Sequence, residues 1–132
     1  MAQIMVSDDD PSILKLMAAI LSKAGHKVTT CASGQETIKK LGIQPDEPAA
    51  ELPDLLVLDI MMPKSDGYTV GTVIRNNPRT HKIPILVVSA LREMSRLFTA
   101  TVQVDGFLTK PFAPEDLISS VGKILEKRRA QA

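Results

Sequence analysis

Leu55-Leu56-Val57-Leu58-Asp59 sets four branched or apolar residues in a row and closes them with an acid. A strand with one wet face would alternate apolar and polar residues. An unbroken apolar run predicts a strand buried on both faces, as in a parallel sheet with helices on each side. Ile85-Leu86-Val87-Val88 repeats the pattern and ends in Ser89. Such strands have no exposed face on which to carry chemistry, so the polar residues at their carboxyl ends become the candidates for function.

Toward the amino terminus, Ile4 to Ser7 reads as a shorter strand running into Asp8-Asp9-Asp10-Pro11. Asp10 and Pro11 suit the cap and first turn of a helix from Pro11 to Ala24, with Ile13, Met17, Ile20, Leu21 and Ala24 as its inward stripe. Gly25 ends it. Lys27 to Cys31 is a second short strand, and Ser33-Gly34-Gln35-Glu36 has capping-box spacing ahead of a second helix that stops at Gly42. Gln44 to Pro53, with three prolines and three acids, reads as a surface connection.

Toward the carboxyl terminus, Met61 to Gly67 is turn-like, and Tyr68 to Asn77 predicts a third helix. Leu91 to about Val102 gives a weaker helical pattern, because Thr99, Thr101 and Val102 are poor helix formers. Phe107-Leu108-Thr109 is a fifth strand ending at Lys110. Pro114 opens a last helix with a stripe of Leu117, Ile118, Val121, Ile124 and Leu125. Five strands alternating with five helices imply right-handed crossovers and a parallel sheet covered on both faces. Asp8, Asp9, Asp59, Ser89 and Lys110 then converge on one rim.

The chain has 132 residues, 44% apolar and 23% charged, which suits a single globular domain. Its net charge of +1 supplies no global field toward nucleic acid or an anionic membrane. Cys31 is the only cysteine, so an intramolecular disulfide and a cysteine-based zinc cluster are excluded, in keeping with a reducing compartment. Without a signal-peptide pattern or an apolar run of about 18 residues, the expectation is a soluble cytoplasmic protein.

Read separately, the three acids could be a solvated turn, Asp59 a turn cap and Lys110 a surface lysine. Together, Val6-Ser7-Asp8-Asp9-Asp10, Leu58-Asp59-Ile60-Met61-Met62-Pro63 with Asp66-Gly67, Val88-Ser89-Ala90 and Leu108-Thr109-Lys110-Pro111-Phe112 resemble the receiver domains of two-component response regulators over essentially the whole chain. The resemblance implies a flavodoxin-like (CheY-like) doubly wound (βα)5 three-layer sandwich, with a parallel five-stranded sheet in the order 2-1-3-4-5. It implies that Asp59 is the phosphoacceptor, served by a sensor histidine kinase or a histidine phosphotransfer protein. Asp8, Asp9, Asp59 and the backbone carbonyl of Met61 would hold Mg²⁺, with Asp10 left as the helix cap. Lys110 would pair with Asp59, Ser89 would be the switch hydroxyl and Phe107 the switch aromatic. The Lys110–Pro111 bond would be cis.

Three positions depart from the commonest pattern of that family. Ser7 stands where an apolar residue is usual, a departure expected to be harmless. The stretch Thr99 to Asp105 lacks a frequent Gly-Ala, and Phe107 lacks the hydroxyl of the frequent Tyr. In that family the residues two after the phosphoacceptor and two after the switch hydroxyl flank the path of the attacking water. The resemblance puts Met61 and Leu91 there, both apolar, which implies slow hydrolysis of the aspartyl phosphate.

Output is expected through a downstream protein bound at the face of the fourth helix, fifth strand and fifth helix, with phosphorylation-dependent homodimerisation also open, and without direct nucleic-acid or membrane contact. The main alternative is the receiver part of a longer regulator with a transcriptional or second-messenger output. A lower-ranked one is an aspartate-nucleophile phosphatase, which would place a second acid where this chain has Met61.

Overall fold

The computed structural model of the chain describes residues 2–59, 67–90 and 104–131. Five strands, β1 (Gln3–Ser7), β2 (Lys27–Cys31), β3 (Leu55–Asp59), β4 (Ile85–Ser89) and β5 (Gly106–Thr109), form one sheet in the order β2-β1-β3-β4-β5. Every pairing is parallel. The described helices are α1 (Pro11–Lys23), α2 (Gly34–Lys40), α3 (Gly67–Arg75) and α4 (Pro114–Gln131). The helix expected over Leu91 to Val102 lies outside the described residues, as do Met61 and Leu91.

The unbroken apolar runs divide by parity into two cores. Leu56, Leu58, Ile85 and Val87 pack with Met5, Cys31, Val70 and Ile74 on the face that carries α2 and α3. Leu55, Val57, Leu86 and Val88 pack with Ile4, Val6, Met17, Leu21, Leu117, Val121 and Ile124 on the opposite face, beneath α1 and α4. Successive residues of β3 therefore serve opposite layers. That is why no position in the run can be polar without cost.

Local chemistry fixes where the helices start and stop. The Asp10 carboxylate accepts from the N–H groups of Ser12 and Ile13 at the head of α1. Ser33 Oγ accepts from Glu36 N–H, while Glu36 reaches back to Ala32 N–H, one residue earlier than a standard capping box. Both α1 and α2 end in the same way. Gly25 (φ +99°) and Gly42 (φ +73°) take the left-handed conformation, and His26 N–H and Ile43 N–H bond back to Leu21 and Ile38 carbonyls.

Two inward assignments are corrected. Ala24 is the exposed cap residue of α1 rather than part of its buried stripe, and Leu14 packs there instead. Ile118 is 40% exposed, because α4 is a surface helix with a narrower buried seam than its apolar residues suggest.

Arginines tie the connections down. Arg79 donates to the carbonyls of Gly42 (3.3 Å) and Ala50 (3.1 Å), clamping the link between α2 and β3. Arg75 donates to the carbonyls of His81 and Ile83 and lies 3.5 Å from Asp105, whose carboxylate accepts from Ile85 N–H. The starts of β4 and β5 are thereby held together, which sets where their far ends fall.

Candidate functional site

Register delivers the site. Ser7 pairs with Leu58 across β1 and β3, so the next step along each strand places Asp8 beside Asp59. Asp59 pairs with Val88, and Ser89 with Thr109, which sets Ser89 and Lys110 on the same rim. Lys110 N–H donates to the Ser89 carbonyl at 2.9 Å, carrying the last strand's pairing one residue beyond β5. The Lys110–Pro111 bond is cis, as expected, and Gln44–Pro45 is a second cis bond that sequence reasoning missed.

Carboxylate oxygens of Asp8, Asp9 and Asp59 lie within 4.8 Å of one another. Asp8 and Asp59 are buried and Asp9 is exposed, so the cluster opens to solvent on the Asp9 side. At that separation each like-charged pair repels by about 3 kcal/mol at an effective dielectric near 20. Lys110 supplies the compensating charge within the protein. Its Nζ is 2.9 Å from Asp8 Oδ2 and 3.5 Å from Asp59 Oδ2.

The expected Lys110–Asp59 pairing is present, but the shorter bond goes to Asp8. Asp8 is fully buried, so its carboxylate gains most from a cation brought close. Burial alone would pull the Lys110 ammonium down from its ordinary 10.5. The hydrogen bond to Asp8 and the charge of Asp59 more than offset that, and its pKa is raised.

Among the described residues, three carboxylates against one ammonium leave the cluster two charges negative, and a divalent cation would neutralise it. The donors are all oxygens with one side open, which fits a hard ion that keeps some of its water. The Met61 carbonyl, expected as a further ligand, lies outside the described residues. Ser89 is buried at the end of β4, while Phe107 on β5 is 50% exposed. Phe107 pairs with Val87 and so stands on the sheet face that carries α3.

Asp10, at the helix cap, makes no part of the acid cluster, as expected. Ser7 is the residue whose role the sequence did not reveal. Its hydroxyl is fully buried and bonded to Thr37 Oγ1 at 2.7 Å.

Residues 4–122 match the family model for the response regulator receiver domain. The chain is 35% identical over 129 residues to the DNA-binding dual master transcriptional regulator RpaA of Synechocystis sp., covering 96% of this chain and 50% of that protein. It is 34% identical over 131 residues to the alkaline phosphatase synthesis transcriptional regulatory protein PhoP of Bacillus subtilis, covering 98% and 51%. The chain thus spans about half the length of these curated relatives.

Among solved structures, a putative response regulator from Chloroflexus aurantiacus superposes with a TM-score of 0.83 at 30% identity, covering 95% of this chain and 98% of that one. The Vibrio cholerae chemotaxis protein CheY4 does so with a TM-score of 0.82 at 27% identity, covering 94% and 98%. Family model, relatives and fold agree with the rim of acids and lysine, and the chain belongs to the response regulator receiver domain family.

Proposed function

We propose that Asp59 is the phosphoacceptor of this receiver and that the chain works as a phosphorylation-dependent switch rather than a metabolic enzyme. The observation that carries the proposal is the three-carboxylate cluster with Lys110 against both of its buried members. A histidine kinase partner follows from the family; a histidine phosphotransfer protein is the other donor of the same chemistry.

Asp8, Asp9 and Asp59 would hold Mg²⁺, which supplies charge neutralisation for a phosphoryl group in transit. An Asp59 carboxylate oxygen attacks the phosphorus of a phosphohistidine. The P–N bond breaks as the P–O bond forms, and the electron pair leaves on the imidazole nitrogen. Lys110 keeps a fixed positive charge beside the oxygens on which negative charge accumulates. Ser89 is the hydroxyl for a phosphoryl oxygen, and Phe107 is the aromatic that moves inward as it engages.

Output goes to a downstream protein at the face that includes β5 and α4. A second reading, output through DNA, is favoured by the relatives, which are transcriptional regulators about twice as long. Reading the gene through the codon for Ala132 chooses between them.

Treatment with acetyl phosphate and Mg²⁺, followed by intact-mass measurement, tests the site. One phosphoryl group should add to the wild type and none to Asp59→Asn. A phosphoryl group retained in Asp59→Asn, or addition unaffected by chelating Mg²⁺, would refute the assignment.

A further inference from the structure

Ser7 points into the core beneath α2 and α3, beside Leu58 and Cys31, where an apolar side chain would pack without any partner. A hydroxyl buried there must be satisfied. Thr37 Oγ1 donates to the Ser33 carbonyl at 2.8 Å, which uses its one proton, so Ser7 Oγ is the donor across the 2.7 Å bond to Thr37. Ser33 in turn caps α2 by accepting from Glu36 N–H.

Main chain reinforces the link, because Asp8 N–H donates to the Cys31 carbonyl at 3.1 Å. The residue directly before the acid pair is therefore bonded, through side chain and neighbouring backbone, to the first turn of α2 and the end of β2.

We propose that the Ser7–Thr37 hydroxyl pair is a positioning device: it fixes the carboxyl end of β1 against α2 and thereby sets Asp8 and Asp9 for a divalent cation. This rests on the metal-binding reading of the acid cluster given above. Consecutive strand residues are about 3.3 Å apart, so a shift at Ser7 passes almost undiminished to Asp8. Supporting bonds behind metal ligands matter because they hold the ligands in the geometry the ion requires.

The test compares Mg²⁺ affinity, by titration calorimetry, with metal-free thermal stability in the intact chain. The double variant Ser7→Ala/Thr37→Val removes both polar partners together, so no buried group is orphaned and the fold is retained. It should melt close to the wild type without metal yet bind Mg²⁺ about tenfold more weakly. Thr37→Ser, which keeps both hydroxyls, should bind as the wild type does.

Wild-type affinity in the double variant, or an equal loss in Thr37→Ser, would overturn the proposal. Should the double variant fail to fold, Ser7→Ala alone, which leaves Thr37 Oγ1 donating to the Ser33 carbonyl, is read by the same two measurements and the same criteria. Asp9→Asn separates the two levels. If neither it nor the wild type binds Mg²⁺, the metal reading itself falls and takes this proposal with it. If the wild type binds and Asp9→Asn does not, only the hydroxyl pair is on trial.

Discussion

Lys110 has a structural duty in addition to any part in phosphoryl transfer. Its shorter bond is to Asp8, a carboxylate with no solvent exposure whose Oδ1 accepts from Asp10 N–H at 2.9 Å. Lys110→Met should therefore destabilise the metal-free fold by about 2 kcal/mol, seen as a lower urea midpoint with an unchanged slope. An unchanged midpoint would show that the pair makes no net contribution. The apolar residues at 61 and 91 lead to a second expectation. Decay of the phosphoprotein, followed by mass, should take minutes or longer, and a half-life of seconds would refute it. Asp8, Asp9, Asp59, Ser89 and Lys110 were legible because each stands at or just past the carboxyl end of a strand-like stretch. Ser7 was not, since its partner lies thirty residues away and a single hydroxyl within an apolar run has no periodicity to betray it.

Both early helices stop at a left-handed glycine, yet the two sites differ in tolerance. A side chain at Gly25 would meet nothing within 4 Å, so Gly25→Ala should cost only the conformational strain, about 1 kcal/mol. At Gly42 a Cβ would lie 2.5 Å from the Glu47 carbonyl oxygen and 2.7 Å from Ala50 Cβ, inside the loop that Arg79 clamps. Gly42→Ala should cost clearly more, about 3 kcal/mol by chemical denaturation, and equal losses at the two sites would contradict this. The start of α2 is pH-sensitive. The hydrogen bond from Ala32 N–H, then the Lys40 ammonium, hold the Glu36 carboxyl below its usual 4.5. A lowered folded-state pKa means the contribution is present above about pH 4.5 and is lost as pH falls through the folded value. Because the side chain is 39% exposed, solvent screening limits the loss to a few tenths of a kcal/mol, and Glu36→Gln should abolish that portion of the acid limb. Caps and glycine stops were readable in the sequence. The seams were read too wide at Ala24 and Ile118, because apolar identity alone does not report how much of a helix its neighbours cover.

The sheet is a shared wall between two apolar layers, and neither layer can be loosened without exposing the other side of the same strands. Leu56→Ala empties space on the α2–α3 side and Leu86→Ala on the α1–α4 side, and each should cost roughly 2–5 kcal/mol. Fluorescence-independent probes such as far-UV circular dichroism and hydrogen exchange should still report one transition in both variants; two separated transitions would mean the layers melt independently. Alternating elements made the parallel, doubly covered sheet legible, whereas strand order came from the family resemblance, because nothing local in a strand states which neighbour it will pair with. Arg75 and Arg79 escaped notice for a similar reason: their acceptors are carbonyls, which every residue carries. Cys31, fully enclosed at the end of β2 with its thiol pKa raised by burial, gives the molecule a built-in clock. An alkylating reagent can reach that sulfur only when the wall opens, so the rate of label uptake in plain buffer reads the frequency of opening directly, with no dye, tag or denaturant.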